Sequence, residues 1–149
     1  MTDLIEIKEL ETEAIKSLRY EVLWPHKNSV NECTIEPDSE NTTFHVGAVM
    51  GEEVVGTSTL IIDINSNFEE KNQYRLRAMA TSPKIRGTRT GVAIVNRAIE
   101  ELRKRDVKLL WCDARLIATG FYEKLGFKVK GDVYEVPNIG PHKLMYKEL

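Results

Sequence analysis

The chain has 149 residues, 42% of them apolar and 30% charged, with a formal net charge of −2. That length suits one domain able to bury roughly two-thirds of its unfolded surface, and the composition excludes disordered, fibrous and disulfide-stapled classes. No apolar run approaches the ~18 residues of a membrane span, and the acidic start M-T-D-L-I-E-I-K-E-L-E lacks the basic-then-apolar layout of a signal peptide, so a cytoplasmic protein with no membrane partner is expected.

Leu4 to Lys8 alternates well enough for a first strand. Thr12 is the expected N-cap of a helix with Glu13 in its first turn. Ile15, Leu18 and Val22 give its apolar stripe as far as Trp24, and Pro25 stops it. Residues 25–42 are polar and aperiodic, and a loop of that length in a compact domain is usually functional or mobile. Residues 43–50 and 53–64 read as two strands joined by a short turn at Met50-Gly51-Glu52-Glu53. A polar connector, 65–72, leads to a strand over Gln73–Thr81, which Pro83 ends because proline offers no ladder donor. Gly87 and Gly91 bracket a turn. From Gly91 the apolar positions fall at helical spacing, with Val92, Val95, Ile99 and Leu102 on one face beside Ile94 and Ala98. Val107 to Asp113 is short and apolar, fitting an interior parallel strand reached by a right-handed crossover. A short helix is expected from about Ala118 to Lys124, with Gly126 as its C-cap, and residues 127–130 and 142–146 as closing antiparallel strands.

Cys33 and Cys112 match no metal or redox spacing, so two free thiols and no metal site are expected. The small net charge conceals an asymmetry. Residues 1–71 carry 15 acidic and 5 basic side chains, whereas residues 72–149 carry 8 and 16. A basic second half suits an anionic cofactor and an acidic first half a cationic amine, although most of these charges also read as a solvated surface. Nucleic acid is not expected as a partner, because the basic residues are interleaved with Glu100, Glu101 and Asp106 and lack an aromatic platform.

Two motifs carry the chemistry. The first is the run Arg86-Gly87-Thr88-Arg89-Thr90-Gly91 between strand and helix. Free N–H groups and the positive end of a helix dipole converge at such a turn, which makes it an anion site or simply a tight connection. The second is Gly120-Phe121-Tyr122-Glu123-Lys124-Leu125-Gly126-Phe127. With both in order, about thirty residues apart, the chain resembles the GNAT superfamily of acyl-CoA-dependent N-acetyltransferases. The likeness is good from Tyr74 to roughly Phe127 and looser through Val46-Gly47-Ala48 and the C-terminal P-H-K-L-M-Y-K. The family's pyrophosphate motif, Q/R-x-x-G-x-G/A, is matched by Arg86 to Gly91 with Arg89 replacing its central glycine. Its later pattern, N-x-x-A-x-x-(F/L)-Y-x-K-L-G-F, has Arg115 in place of asparagine, then Ala118, Phe121, Tyr122, Lys124, Leu125, Gly126 and Phe127.

The resemblance implies an α/β (mixed α+β) fold: one domain over residues 1–149, with a central mixed sheet of six to seven strands flanked by about four helices. It implies an acetyltransferase moving an acetyl group from acetyl-CoA, by direct attack on the thioester, to a primary amine of a small molecule or a protein lysine. The alternative is a non-catalytic acyl-CoA-binding or sensing module of the same fold; a homodimer is left open. Backbone N–H groups from Arg86, Gly87, Thr88, Arg89, Thr90 and Gly91 would hold the pyrophosphate. Met79, Ala80 and Thr81 would pair with the pantetheine arm as an added strand, a Met79 or Ala80 N–H facing the oxyanion. Tyr122 would protonate the departing thiolate or simply wall the cofactor, and Lys124 falls in the same cofactor-binding motif. Arg89 would either contact a phosphate or obstruct its approach. The loop at 25–42 would lie beside the acceptor.

The base is open. A lysine-like amine is mostly charged at neutral pH and must lose a proton before it attacks. The candidates are His45, Asp63, Glu135 and His142, with a packed core histidine the competing reading of His45 and a surface histidine that of His142. Arg75 and Arg77 share a face of their strand. They either recruit a substrate carboxylate or pair with neighbouring acids.

Overall fold

Alternating apolar positions and well-placed turn residues build the first half of the chain. In a computed structural model, which describes residues 4–149, strand β1 runs over Ile5–Leu10, helix α1 over Thr12–Val22, and strands β2 and β3 over Phe44–Met50 and Glu53–Ile62. Glu11, not Thr12, is the N-cap of α1, and it makes no side-chain cap bond. Thr12 is instead the first helical residue, and its hydroxyl is taken by His45 Nε2 at 2.9 Å, a tertiary partner that displaces the local cap. The helix stops two residues before Trp24, whose N–H folds back on the Arg19 carbonyl at 2.9 Å. The segment after it contains two short 3₁₀ turns, Val30–Glu32 and Glu36–Ser39.

Strand β4 covers Gln73–Thr81, as the sequence pattern predicts. A 3₁₀ turn over Pro83–Ile85 follows it and leads to helix α2, Thr90–Lys104. Strand β5 begins at Leu109, later than expected. The Val107 N–H is spent on the Leu102 carbonyl, closing the end of α2, with Asp106 in the left-handed region at φ +64°. A 3₁₀ turn at Leu116–Ala118 precedes helix α3, Thr119–Lys124.

The last two strands run further than predicted, β6 over Lys128–Val136 and β7 over Gly140–Glu148. Gly131 resembles a turn residue, but its φ of +81° sits in a register shift between Lys130 and Tyr134. It therefore serves as a bulge from which the strand resumes. The reversal comes at Pro137-Asn138-Ile139, with Asn138 at φ +66°.

The seven strands form a mixed sheet in the order β1-β2-β3-β4-β5-β7-β6. Pairs β1/β2, β2/β3, β5/β7 and β6/β7 are antiparallel, and β4/β5 is parallel. Three α-helices, rather than about four, occur among the described residues. No helix among these is long and apolar enough to cross a membrane. Cys33 and Cys112 are free and buried.

The chain divides into two compact units. The first, Met1–Ile62 with Leu76–Glu101, has a core that includes Ile15, Leu18, Val46, Val55, Leu60, Ile94, Val95 and Ile99. Here α2 lies tight on β3: a Cβ at Gly56 would stand 2.5 Å from Ile94 Cδ1, closer than real carbons approach. The second unit, Asp63–Arg75 with Leu102–Leu149, is built around Leu109, Trp111 and Leu144, against which Phe68, Tyr134 and Tyr146 pack.

Candidate active site

In the first unit, the candidate cofactor residues follow from how β4 ends. The parallel ladder pairs only Gln73–Arg75 with Leu109–Trp111, so Met79, Ala80 and Thr81 lie beyond it. Ala78 has φ +50°, a left-handed conformation that costs a non-glycine residue about 1–2 kcal/mol. Nothing in the pattern L-R-A-M-A-T marks it, since alanine is not a residue that signals positive φ.

The strand then turns sharply. Ser82 N–H bonds the Val55 carbonyl at 2.8 Å, and its hydroxyl accepts the Lys84 N–H at 3.2 Å, capping the Pro83–Ile85 turn. The motif residues come next. Gly87 has φ +79° and Arg89 has φ +64°. Arg89 thus holds a left-handed backbone of the kind glycine adopts without steric cost. Thr88 Oγ1 donates to the Ile85 carbonyl at 2.6 Å, which leaves Thr90 Oγ1 to donate to Thr88 Oγ1, also at 2.6 Å. These hydroxyls staple the loop to the start of α2, where the first-turn N–H groups have no intrahelical partner. Lys84 is occupied by Glu53 at 2.8 Å. The exposed guanidinium groups of Arg86 and Arg89 have no partner among the described residues, so the bend carries unneutralised positive charge.

His45 belongs to a closed network in this same unit. Its Nδ1 meets Thr59 Oγ1 at 2.8 Å and its Nε2 meets Thr12 Oγ1 at 2.9 Å. Burial, and then the Arg19 charge, lower its pKa to about 4, so the ring is neutral at pH 7. Arg19, fully buried, grips both oxygens of Asp38 at 2.7 and 2.9 Å and donates to the Cys33 carbonyl and Thr59 Oγ1. Burial pushes the Asp38 carboxyl upward, but bonds from Arg19 and the Ile35 N–H outweigh it and leave its pKa lowered. Through these contacts the loop after α1 is pinned down rather than loose.

In the second unit Tyr122 lies on α3, 7% exposed, edge-on to Phe121 at 5.1 Å and to Phe127 at 5.3 Å. Burial, and then the neighbouring Cys112, push its phenol well above the ordinary tyrosine range, so it stays protonated. Lys124 is exposed. Gly126, at φ +91°, ends the helix, and Lys147 Nζ caps it by donating to the Leu125 carbonyl at 3.0 Å.

The other base candidates also belong to this unit. Arg75 bridges Asp63 at 3.2 Å and Asp113 at 2.7 Å and stacks over Trp111 at 4.7 Å. It is therefore committed to neighbouring acids, as one of its two readings anticipated. Trp111 Nε1 donates to the Asp63 carbonyl at 2.9 Å. Tyr134 donates its hydroxyl proton to Asp113 Oδ1, and its ring stacks on His142, with centroids 6.1 Å apart. His142 is 6% exposed, with Nδ1 at 2.9 Å from the Gly140 carbonyl. Glu135 is exposed and pairs in register with Pro141. The structure thus gathers Asp63 and Asp113 around Arg75 and His142 against Tyr134, while His45 is consumed in a separate network. Asp113, Tyr134 and Trp111 were not candidates from the sequence; only the cross-strand register brings them into contact.

Comparison with known proteins places this architecture. Residues 7–127 match the family described as Acetyltransferase (GNAT) family. The chain is 31% identical over 146 residues to an uncharacterized N-acetyltransferase, YitI, of Bacillus subtilis (strain 168), covering 98% of this chain and 97% of that one. In fold it is similar to Escherichia coli ElaA, with TM-score 0.78 and 18% identity over 97% of this chain and 100% of the other. It is likewise similar to an aminoglycoside 6'-N-acetyltransferase complexed with coenzyme A, with TM-score 0.77 and 20% identity over 96% of both chains. With the family matched over most of its length and a relative aligned along nearly all of it, the chain belongs to the GNAT acetyltransferase family.

Proposed function

We propose that residues 1–149 act as one acetyltransferase domain that moves the acetyl group of acetyl-CoA to a primary amine of a small molecule or a protein lysine. The observation that carries this reading is the left-handed backbone of Arg89, φ +64°, a conformation glycine favours, adopted here by the residue that replaces the motif's glycine. Main-chain N–H groups of Gly87, Arg89, Thr90 and Gly91 then bind the diphosphate, whereas those of Arg86 and Thr88, also expected from the motif, are taken by the Pro83 and Ile85 carbonyls at 3.4 and 3.2 Å; the Arg86 and Arg89 side chains add charge-assisted bonds. Met79 to Thr81, beyond the β4/β5 ladder, pair with the pantetheine arm as an added strand. The N–H of Met79 or Ala80 polarises the thioester oxygen, a contribution of about 3 kcal/mol where such donors have been tested.

Tyr122 faces the departing thiolate as the general-acid candidate. The ordinary phenol is already a weaker acid than the thiol it would protonate, and burial strengthens that order. Its service is accordingly a hydrogen bond that strengthens as charge develops on sulfur. Tyr122→Phe is expected to lower kcat about 10²-fold with little change in the KM for acetyl-CoA; a kcat within about twofold of wild type would retire the role.

The reading is tested by calorimetry with coenzyme A and by thiol release from acetyl-CoA across spermidine, tyramine, an aminoglycoside and a lysine-bearing peptide. Binding with turnover on at least one amine is expected. Binding without turnover on any amine would favour the acyl-CoA-sensing alternative, and no heat at millimolar coenzyme A would overturn the cofactor site itself.

A further inference from the structure

The hairpin of β6 and β7 holds a histidine in a state its sequence does not announce. His142 Nδ1 lies 2.9 Å from the Gly140 carbonyl oxygen. A carbonyl can only accept, so the neutral ring must carry its proton on Nδ1 and its lone pair on Nε2. That Nε2 has no hydrogen-bond partner among the described residues. Nor is it sealed away, for among the described residues the unpartnered polar side-chain atoms closed off from solvent are Arg19 Nε, Thr57 Oγ1 and Arg75 Nε. His45 provides the contrast: both of its nitrogens are consumed by threonine hydroxyls.

The ring is also fixed in orientation. Tyr134 stacks on it at 6.1 Å with an interplanar angle of 30°, and Tyr134 is itself tied through its hydroxyl to Asp113. Asp113 is anchored by Arg75, which rests on Trp111. A basic lone pair backed by a defined tautomer and held by a supporting shell is the arrangement that general-base catalysis requires.

We infer that His142 Nε2 is the base that removes a proton from the acceptor ammonium, directly or through one water, with Tyr134 and Asp113 as positioning residues. The inference rests on the acetyltransferase reading above. The ammonium gives one proton to Nε2, and the free amine attacks the thioester carbon. The C–N bond forms and the C–S bond breaks, and the second amine proton reaches the departing thiolate. The imidazolium then releases its proton to solvent, so one proton is liberated per acetyl group transferred. Tyr134 does not compete for the proton. Burial, then its bond to Asp113, keeps its phenol protonated. The other charged or titratable neighbours in the ladder are Glu135 on β6 and Asp113 and Arg115 on β5.

Two measurements test this. The first is the ¹⁵N imidazole spectrum of the intact protein at pH 8, which needs no acceptor. The Nδ1–H tautomer for His142 is expected, and the Nε2–H tautomer would overturn the assignment. The second uses acetyl-CoA and whichever of spermidine, tyramine or the lysine-bearing peptide wild type turns over fastest. His142→Ala is expected to lose at least about 100-fold in kcat while acetyl-CoA affinity holds. A kcat within twofold of wild type would overturn the proposal. Should that variant unfold, Tyr134→Phe keeps the question open to decision. It is expected to lower kcat roughly 3–10-fold through looser positioning of the base and to leave acetyl-CoA affinity unchanged, and no change in kcat would count against the network. Failure of wild type to bind coenzyme A is a separate result that defeats the cofactor reading, not the tautomer.

Discussion

Two arginine–aspartate clusters, one in each unit, are built from the same parts and do different work. In the first unit Arg19 and Asp38 are 0% and 7% exposed at their side chains, and histidine and threonine groups close the network around them. In the second, Arg75 binds Asp63 and Asp113, whose side chains are 39% and 32% exposed, and the adjacent His142 keeps a free nitrogen. Apart from Arg19 Nε, which is buried without a partner, the closed cluster has spent its hydrogen-bonding capacity on holding the chain together. The open one has lone pairs left over. Unspent capacity, more than residue type, marks a candidate for chemistry.

Breaking the closed pair gives the largest expected effect on stability. Asp38→Ala strands the buried Arg19 charge, which cannot reach water without disrupting α1 and β3, and about 3–5 kcal/mol of folding stability should be lost. Equilibrium urea unfolding would measure it. A loss below about 1 kcal/mol would mean that the loop carrying Asp38 opens freely, and the contrast between the clusters would then collapse.

Acid sharpens the same contrast with a smaller effect. His45 is held at about 4, below the ordinary 6.5, by burial first and by Arg19 second. Below pH 6.5 the unfolded chain takes up a proton that the folded chain refuses, so stability present above that value is lost as pH falls toward 4. The slope is at most about 1.4 kcal/mol per pH unit. Asp38, with its pKa lowered from 3.8, extends the loss below that point as its carboxylate is protonated. Urea midpoints at pH 7, 5.5 and 4 should fall in that order for wild type and fall less for His45→Gln. Equal slopes for the two proteins would remove His45 as the cause.

How much of this could be read from the chain depends on the range of the forces involved. Strand β4 was legible to the residue, because alternation and Pro83 are local signals. The helix after Gly91 was legible for the same reason. Arg89 was visible as a departure from the motif, but its left-handed backbone was not, since a side chain's identity does not report φ. Ala78 gave no signal at all. The Arg19–Asp38 pair joins a helix to an aperiodic loop across nineteen residues, where no period exists to read. The contact of Asp113, Tyr134 and His142 depends on β6 resuming beyond the Gly131 bulge, and Gly131 with Asp132 reads locally as a turn. Local patterning therefore disclosed the scaffold and the cofactor motif, whereas the polar networks waited on register and tertiary pairing.

The smallest effect is expected from Asp113→Asn, and its smallness is the point. The substituted side chain still offers an amide oxygen to the Tyr134 hydroxyl, but its NH₂ group would set two donors against each other where Asp113 Oδ2 now meets Arg75 Nη2. Arg75 would keep Asp63 and its stacking on Trp111. Because both carboxylates are about a third exposed, water screens the lost charge and hydrates the stranded guanidinium, so the cost should be no more than about 1 kcal/mol. Salt separates the two clusters further. At 1 M ionic strength, where screening acts within about 3 Å, wild type and Asp113→Asn should converge in stability, while the Asp38→Ala deficit persists. If the Asp113→Asn deficit instead matched that of Asp38→Ala and ignored salt, the second cluster would be a sealed structural pair like the first, and its histidine would lose its claim to the acceptor's proton.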